Sequence, residues 1–158
     1  MIALALALAG IVAGVVRAVP GVPEPGGAAA PRGGKVLLRG DSREQMVVTM
    51  MSSENDVRIG SEPGHRLVTV TLWVENTGRA SFRSDIEEHS WLVDRDDRAY
   101  GHNAELTNGK SPFASNLAPS WSVNRYVVFE VPADVDITRF RLSLDPRSSE
   151  QTADWLLH

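Results

Sequence analysis

The 158-residue sequence contains no cysteine. The chain therefore forms no disulfide, offers no thiolate ligand to a metal ion and has no cysteine that could carry a lipid near its N-terminus. Disulfides are permitted outside the cytoplasm but are not required there, so this absence leaves the compartment open.

Positive charge is also sparse, and it is not concentrated in one stretch. The sequence has 16 Lys and Arg residues against 20 Asp and Glu residues, which gives a formal net charge of −4 at pH 7. A nucleic-acid partner requires a basic patch or stripe, so the sequence predicts no such partner. The hydrophobic share of 42% and the charged share of 23% are ordinary for a globular core, and the length fits one domain.

Signatures of catalysis are missing as well. The sequence has no Gly-x-Ser-x-Gly elbow, and its paired glycines belong to a Pro/Gly/Ala segment that lacks the helix following a phosphate-binding loop. We therefore expect a protein that is not an enzyme and that holds no cofactor.

The N-terminus carries a long apolar run. In "MIALALALAGIVAGVVRAV" the stretch from Ile2 to Val16 is about fifteen residues long, and as a helix it would rise only ~22 Å against the ~30 Å of a bilayer core. That length favours a signal peptide, and Val16-Arg17-Ala18 has the small or apolar residues that precede a cleavage site. No Lys or Arg precedes the run, so an uncleaved anchor is the alternative. We expect residues 1–19 to be a signal peptide or membrane anchor, and the folded part to be extracytoplasmic, either secreted or anchored to the cell membrane.

Residues 20–34, "PGVPEPGGAAAPRGG", are almost entirely Pro, Gly and Ala. Such a composition buries too little surface to offset the entropy that is lost on ordering, so we expect a disordered linker. The folded domain should begin near Lys35.

Strand-like runs then recur between clusters of turn-forming residues. The clearest is Arg66 to Glu75, where apolar residues alternate with polar ones until Asn76-Thr77-Gly78 turns the chain. The apolar residues on one face of this strand are Val68, Val70, Leu72 and Val74. The other predicted strands are Lys35 to Arg39, Glu44 to Met51, Ser90 to Asp94, Trp121 to Val131 and Ile137 to Leu144.

This succession of short strands, with no long helical period, predicts an all-β antiparallel sandwich over residues 35–146. A C-terminal tail over residues 147–158 follows. It carries Ser-x-x-Gln before Trp155, which predicts one short helical turn docked on the sheet.

Two residues depart from the alternation of apolar and polar residues in their strands. Trp73 falls on the polar side, where it lies under a loop or against a neighbouring strand unless it serves as a ligand platform. Arg125 interrupts the apolar parity of the longest strand. We expect Arg125 to lie in a solvated part of that strand, or to spread its stem over the core with its head in water. A buried ion pair is the alternative.

Four stretches carry a family likeness in this order: "LVTVTLWVENTGRASF", "WLVDRDDRAYG", "LAPSWSVNRYVVFEVPADV" and "ITRFRLSL". Over about Met46 to Leu144 the chain resembles the bacterial extracytoplasmic immunoglobulin-like domains of unknown function, family four-three-five-two. Their fold is similar to that of a mycobacterial immunoprotective extracellular protein. The likeness rests on Glu75-Asn76-Thr77-Gly78, on Leu92-Val93-Asp94 with its turn to Tyr100, and on Phe129-Glu130-Val131-Pro132. It implies an immunoglobulin-like β-sandwich and supplies no catalytic residues.

The acidic stretch "DIEEHSWLVDRDDRAYGHNAE" is the one place where the sequence suggests chemistry. Asp94, Asp96 and Glu105 occupy the first, third and twelfth positions of a calcium-loop template. Arg98 and Ala99 stand where that template needs a ligand and a glycine, which favours a polar hairpin turn instead.

Imidazole and carboxylate groups in the same stretch could also hold a transition metal. The spacing does not require such a site. The candidate metal ligands are Asp94, Asp96, His89 and His102. The corresponding alternative function is a metal-dependent enzyme or sensor that uses Asp85, Glu87, Glu88, His89 and His102.

The function that the sequence favours is a non-catalytic interaction module, secreted or tethered to a membrane. Its candidate binding surface is the polar face of the strand from Arg66 to Glu75, with Thr69, Thr71 and Trp73. We expect the partner to be a protein, a cell-wall polymer or a small ligand. Membrane contact is expected only through the N-terminal segment.

Overall fold

The computed structural model describes residues 19, 21–40, 45–56, 62–83, 86–110, 116–144 and 151–158. The apolar run, and with it the signal or anchor prediction, lies outside these residues. The elements in chain order are β1 (Lys35–Arg39), β2 (Gln45–Asp56), β3 (His65–Asn76), β4 (Phe82–Arg83), β5 (Ser90–Asp94), β6 (Ala99–Gly101), α1 (Ala104–Lys110), β7 (Asn116–Leu117), β8 (Ser122–Pro132), β9 (Ile137–Ser143) and β10 (Thr152–Leu156).

Two four-stranded antiparallel sheets make up the fold. Sheet I has the strand order β1-β2-β3-β8 and sheet II has the order β10-β9-β5-β6, while β4 and β7 form a small third sheet. This arrangement confirms the predicted all-β sandwich. Strands β1 and β5 have the predicted bounds. Strands β3 and β8 each begin and end within one residue of their own predicted bounds.

Strand β2 is longer than predicted. It continues to Asp56 after a register shift between Met50 and Ser52 in its pairing with β3. The segment after Met51 is polar and has no strand-like alternation, but its partner strand holds it in the ladder. A bulge admits the extra residue without ending the pairing.

The core lies between the two sheets, and the parity of β3 predicts one side of it correctly. Val68 is 2% exposed, and Val70, Leu72 and Val74 are fully buried. Sheet II faces them with Leu92, Phe140, Leu142 and Trp155, all fully buried. The Phe140 ring contacts Phe129 edge to face, with centroids 6.2 Å apart, and its centroid is 5.8 Å from that of Trp155.

The C-terminal tail is a strand over Thr152–Leu156, so the predicted helical turn does not extend to Trp155; the start of that turn at Ser148 lies outside the described residues. Strand β10 pairs with β9 along its whole length, and the Trp155 indole N–H donates to the Gly34 carbonyl at 2.9 Å. Ala153, Trp155 and Leu157 all join the core, which is the period of a strand. Burial of this alternating set explains why the chain is extended from Thr152 onward.

The predicted linker is not a free tether in the part that the structure describes. Residues 21–34, here called the strap, cross the outer face of sheet II and reach the edge of β10. Val22 packs on a cluster that contains Trp91 and Val93, and Ala30 exchanges two backbone hydrogen bonds of 2.8 Å with Asp154 and Leu156. A composition of Pro, Gly and Ala reflects only how little surface the segment's own side chains can bury. The order of the strap comes from backbone bonds that a neighbouring strand supplies.

The segment between β6 and β7 contains α1. The Asn103 side-chain oxygen accepts a hydrogen bond from the Leu106 N–H at 3.1 Å and so caps the helix, and Glu105 lies in the first turn. The helix has seven residues. Across the described ranges, no helix has both the length and the apolar character needed to span a membrane.

Candidate functional site

Arg125 is buried against a carboxylate, so the predicted solvated position is wrong. The side chain is about 4% exposed, and its Nε atom lies 3.6 Å from Oε1 of Glu87. Arg125 faces the core side because it is paired with Leu72 across the sheet. The carboxylate comes from the turn before β5, which is distant in sequence, and no local pattern could have indicated this pair.

The same region brings His102 close to two acidic residues. Burial lowers the pKa of His102, and the charges of Glu87 and Glu88 oppose that effect without cancelling it, so the pKa stays below its usual value. The imidazole is therefore neutral at neutral pH. Asp85 lies outside the described residues.

The four candidate metal ligands are divided between the two ends of β5. His89 precedes the strand, and His102 is adjacent to Gly101, which pairs with Trp91 at that same end. Asp94 and Asp96 lie at the opposite end, about 13 Å away at the usual rise of a strand. Within the described residues, no three His, Asp or Glu side chains group closely enough to hold a metal ion.

Asp94 instead organises the hairpin between β5 and β6. One carboxylate oxygen accepts the backbone N–H groups of Asp96 and Arg98 at 2.9 Å, and the other accepts the Tyr100 hydroxyl at 2.9 Å and lies 3.0 Å from Arg98 Nε. Burial acts to raise the pKa of Asp94, but these hydrogen bonds and the Arg98 charge outweigh burial and hold the pKa below its usual value. The expected polar turn is thus confirmed.

The predicted binding residues lie on the face of sheet I that points away from the core. Thr69 is 8% exposed, and its cross-strand partner Val128 bonds through its backbone to the Thr107 hydroxyl of α1. Thr71 and Trp73 are half-buried. The structure therefore leaves two of the three predicted residues accessible and covers the third.

The rest of this outer face carries large apolar side chains in contact with solvent. Leu37 is 45% exposed, Met51 is 55% exposed and Tyr126 is 36% exposed. Trp73 and Tyr126 occupy diagonal positions on adjacent strands, since Trp73 pairs with Asn124 and Tyr126 pairs with Thr71. Diagonal neighbours are about 7–8 Å apart, so the two aromatic rings belong to one surface.

The strap covers the middle of the outer face of sheet II, while Leu156 at its edge is exposed. The guanidinium of Arg141 makes two hydrogen bonds to the Asp154 carboxylate, at 2.7 and 2.9 Å, and donates to the Pro23 carbonyl of the strap at 2.9 Å. Both charged groups are almost fully buried. Burial acts to lower the pKa of Arg141, but the bonds and charge of Asp154 outweigh it and hold the pKa above its usual value.

Comparison with known proteins assigns the chain to a family. The family described as a domain of unknown function, DUF4352, matches residues 41–153. The chain belongs to this family. A search of curated proteins finds no match.

A solved structure shows the same fold at low sequence identity. The secreted protein MPT63 from Mycobacterium tuberculosis superimposes with a TM-score of 0.62 and 9% identity, over 82% of this chain and 96% of that one. An uncharacterized β-sandwich protein from Clostridium difficile has a TM-score of 0.44 and 13% identity, over 83% and 95% of the two chains. A putative lipoprotein from Bacillus subtilis has a TM-score of 0.49 and 14% identity, over 73% and 38%. The likeness to MPT63 confirms the predicted resemblance.

Three exposed apolar residues of this DUF4352 domain, Leu37, Met51 and Tyr126, were not predicted from the sequence as part of its binding surface. Tyr126 sits on the opposite parity from Val127, which faces the core, so the alternation of β8 could have placed it outside. Leu37 and Met51 gave no such signal. Leu37 lies in a run of three apolar residues, and Met51 is exposed by the register shift in β2.

Proposed function

We propose that this DUF4352 domain is a non-catalytic binding module held outside the cytoplasm, and that its contact surface is the outer face of sheet I. The observation that carries the proposal is the difference between the two outer faces. The strap covers the two central strands of sheet II, whereas Leu37, Met51 and Tyr126 are exposed on the face of sheet I.

The composition of the open face suits recognition. Tyr, Trp and Met are enriched where proteins contact partners. Tyr and Trp bury a large area at a small entropic cost, and the flexible Met side chain adapts to the shape of a partner. Exposed polar residues such as Asn124 and Ser122 lie beside the aromatic pair and can donate or accept hydrogen bonds at the rim. A protein or a wall polymer with apolar and hydrogen-bonding groups fits such a surface.

Two further observations support the location. The apolar run from Ile2 to Val16 has the length of a signal peptide core, and MPT63, which has the same fold, is described as a secreted protein. The proposal covers both a domain that is released after cleavage and one that an uncleaved segment retains at the outer side of the membrane.

The experiment is chemical crosslinking of the full chain at the surface of its own cells, followed by capture and quantification of the crosslinked partner. The test variant is Leu37→Ser with Tyr126→Ser, which removes two exposed apolar side chains from sheet I. Leu156→Ser is the matched control, because Leu156 is 41% exposed on β10 of sheet II. We expect at least a tenfold loss of capture for the test variant and none for the control. Equal capture by all three proteins would overturn the proposal.

A further inference from the structure

Each of the two sheets has two edge strands, β1 and β8 in sheet I and β10 and β6 in sheet II. In the described part of the chain, β6, β8 and β10 make hydrogen bonds along their outer edges. The Val19 N–H donates a hydrogen bond to the Ala99 carbonyl of β6, and Ala30 of the strap makes two backbone hydrogen bonds to β10. Val128 of β8 bonds to the segment that begins α1, through the Asn103 N–H at 2.7 Å and the Thr107 hydroxyl. Each of these edges is therefore blocked against further strand pairing.

Strand β1 is the exception. It pairs with β2 on one side, and no described residue makes a backbone hydrogen bond to its other side. An edge strand with free N–H and C=O groups is a template for a further strand. The free edge of β1 has the length of five residues, or about 17 Å.

A groove runs beside this free edge. Its volume is about 340 Å³, and it lies between β1 and the strap. The strap side is formed by Gly26, Gly27 and Ala28, which have the smallest side chains and leave room for another backbone. Val36 and Ala153 give the inner part of the groove an apolar lining.

Positive charge flanks the same strand. Arg32, Lys35 and Arg39 are exposed, and among the described residues no carboxylate lies within ion-pair distance of them. The arginines of sheet II and its hairpin differ, since Arg95 and Arg141 are each paired. Lys35 and Arg39 lie on one face of β1, at the two ends of its open edge, and in a chain of net charge −4 this positive charge favours an acidic partner.

We propose that an extended acidic peptide segment adds to β1 as a fifth strand of sheet I. Its backbone pairs with the free edge of β1. Alternate side chains that are small and apolar enter the groove against Val36, and the intervening acidic side chains lie beside Lys35 and Arg39. Main-chain bonds supply affinity in this mode, and the alternating side chains supply specificity. The site is distinct from the outer face proposed above, because it uses the edge of the sheet.

The probe is a synthetic peptide, acetylated and amidated at its ends, in which Glu and Val alternate over seven residues. We expect saturable binding, with changes in the backbone amide signals of Lys35–Arg39 in nuclear magnetic resonance spectra. Two further peptides carry N-methyl groups on the Glu nitrogens or on the Val nitrogens. Because alternate N–H groups of a strand point to opposite edges, one methylated peptide, and not both, should bind at least tenfold more weakly.

Charge exchange provides the matched protein control. Lys35→Glu with Arg39→Glu should weaken the Glu/Val peptide at least tenfold and favour a Lys/Val peptide instead. Tyr126→Ser should leave peptide binding unchanged, so failure of this proposal is distinguishable from failure of the outer-face proposal. Absence of saturable binding to the unmodified chain would overturn strand addition, as would equal binding of both methylated peptides.

Discussion

Asn76 connects three segments of the chain at the end of β3. Its side-chain amide donates to the carbonyls of Ala80 and Leu117 at 2.9 and 2.8 Å, and its oxygen accepts the Gly78 N–H at 2.9 Å. The residue is 1% exposed, so water cannot replace these partners. The sequence identified Asn76 as the end of a strand, but its link to Leu117 depends on a segment far along the chain.

We expect Asn76→Ala to lower the free energy of unfolding by about 3 kcal/mol, because it leaves buried backbone groups without partners. Thr77→Ala, at the exposed neighbouring position, should change it by less than about 0.5 kcal/mol. Urea denaturation measures both values. Similar midpoints for the two variants would show that the Asn76 side chain does not hold the turn.

Asp94 makes the stability of the fold depend on pH. Its pKa in the folded protein is below the ordinary value of 3.8, so the unfolded chain binds the proton more readily. The stabilisation is therefore complete at neutral pH, and it is lost as the pH falls below 3.8 through the folded-state pKa. We expect the stability difference between the wild type and Asp94→Asn to narrow over that interval in denaturation curves. A difference that does not change with pH would contradict this role.

Residue-level prediction succeeded where one strand's own pattern decides the outcome and failed where a distant partner decides it. The core positions of β3 follow from alternation alone. Arg125 follows the same alternation into the core, but a charged residue at such a position is expected to reach water unless a carboxylate is known to be near. Glu87 supplies that carboxylate, and only the fold places it there.

At the scale of the element, β3 separates a buried face from an accessible one. Val70→Asp would place a charge in the core and should lower the free energy of unfolding by about 4 kcal/mol or more. Thr71→Asp, one residue away on the other face, should cost about 1 kcal/mol. Thermal or urea unfolding of the two variants checks this contrast. Equal losses would mean that both faces of β3 are covered.

The strap is the element that composition described least well. Proline and glycine are typical of linkers. Residues 21–34 nevertheless make hydrogen bonds to β10 and to Arg141, and these bonds offset part of the conformational entropy that the segment loses on ordering. We expect a chain that begins at Pro31 to be about 3 kcal/mol less stable than one that begins at Val19, from the loss of three backbone bonds and the Arg141 contact. Identical unfolding midpoints would show that the segment is a free linker after all.

At the scale of the whole molecule, the strap makes the two outer faces of the sandwich different. It crosses sheet II, pairs with the edge of β10 and leaves the outer face of sheet I open between β1 and β8. The sequence predicted the sandwich and part of the open face through Thr71 and Trp73. It did not predict which face is closed, because that depends on a segment whose composition indicated disorder.

The most direct test of the binding-module account uses a photoreactive amino acid at a single position of the full chain. Placed at Tyr126, it samples the open face of sheet I. Placed at Asp96, whose side chain is 68% exposed in the β5–β6 hairpin, it samples the opposite sheet. After irradiation on the cell surface, the account predicts one dominant covalent adduct from position 126 and none of that adduct from position 96. An adduct from position 96 with none from position 126 would contradict it.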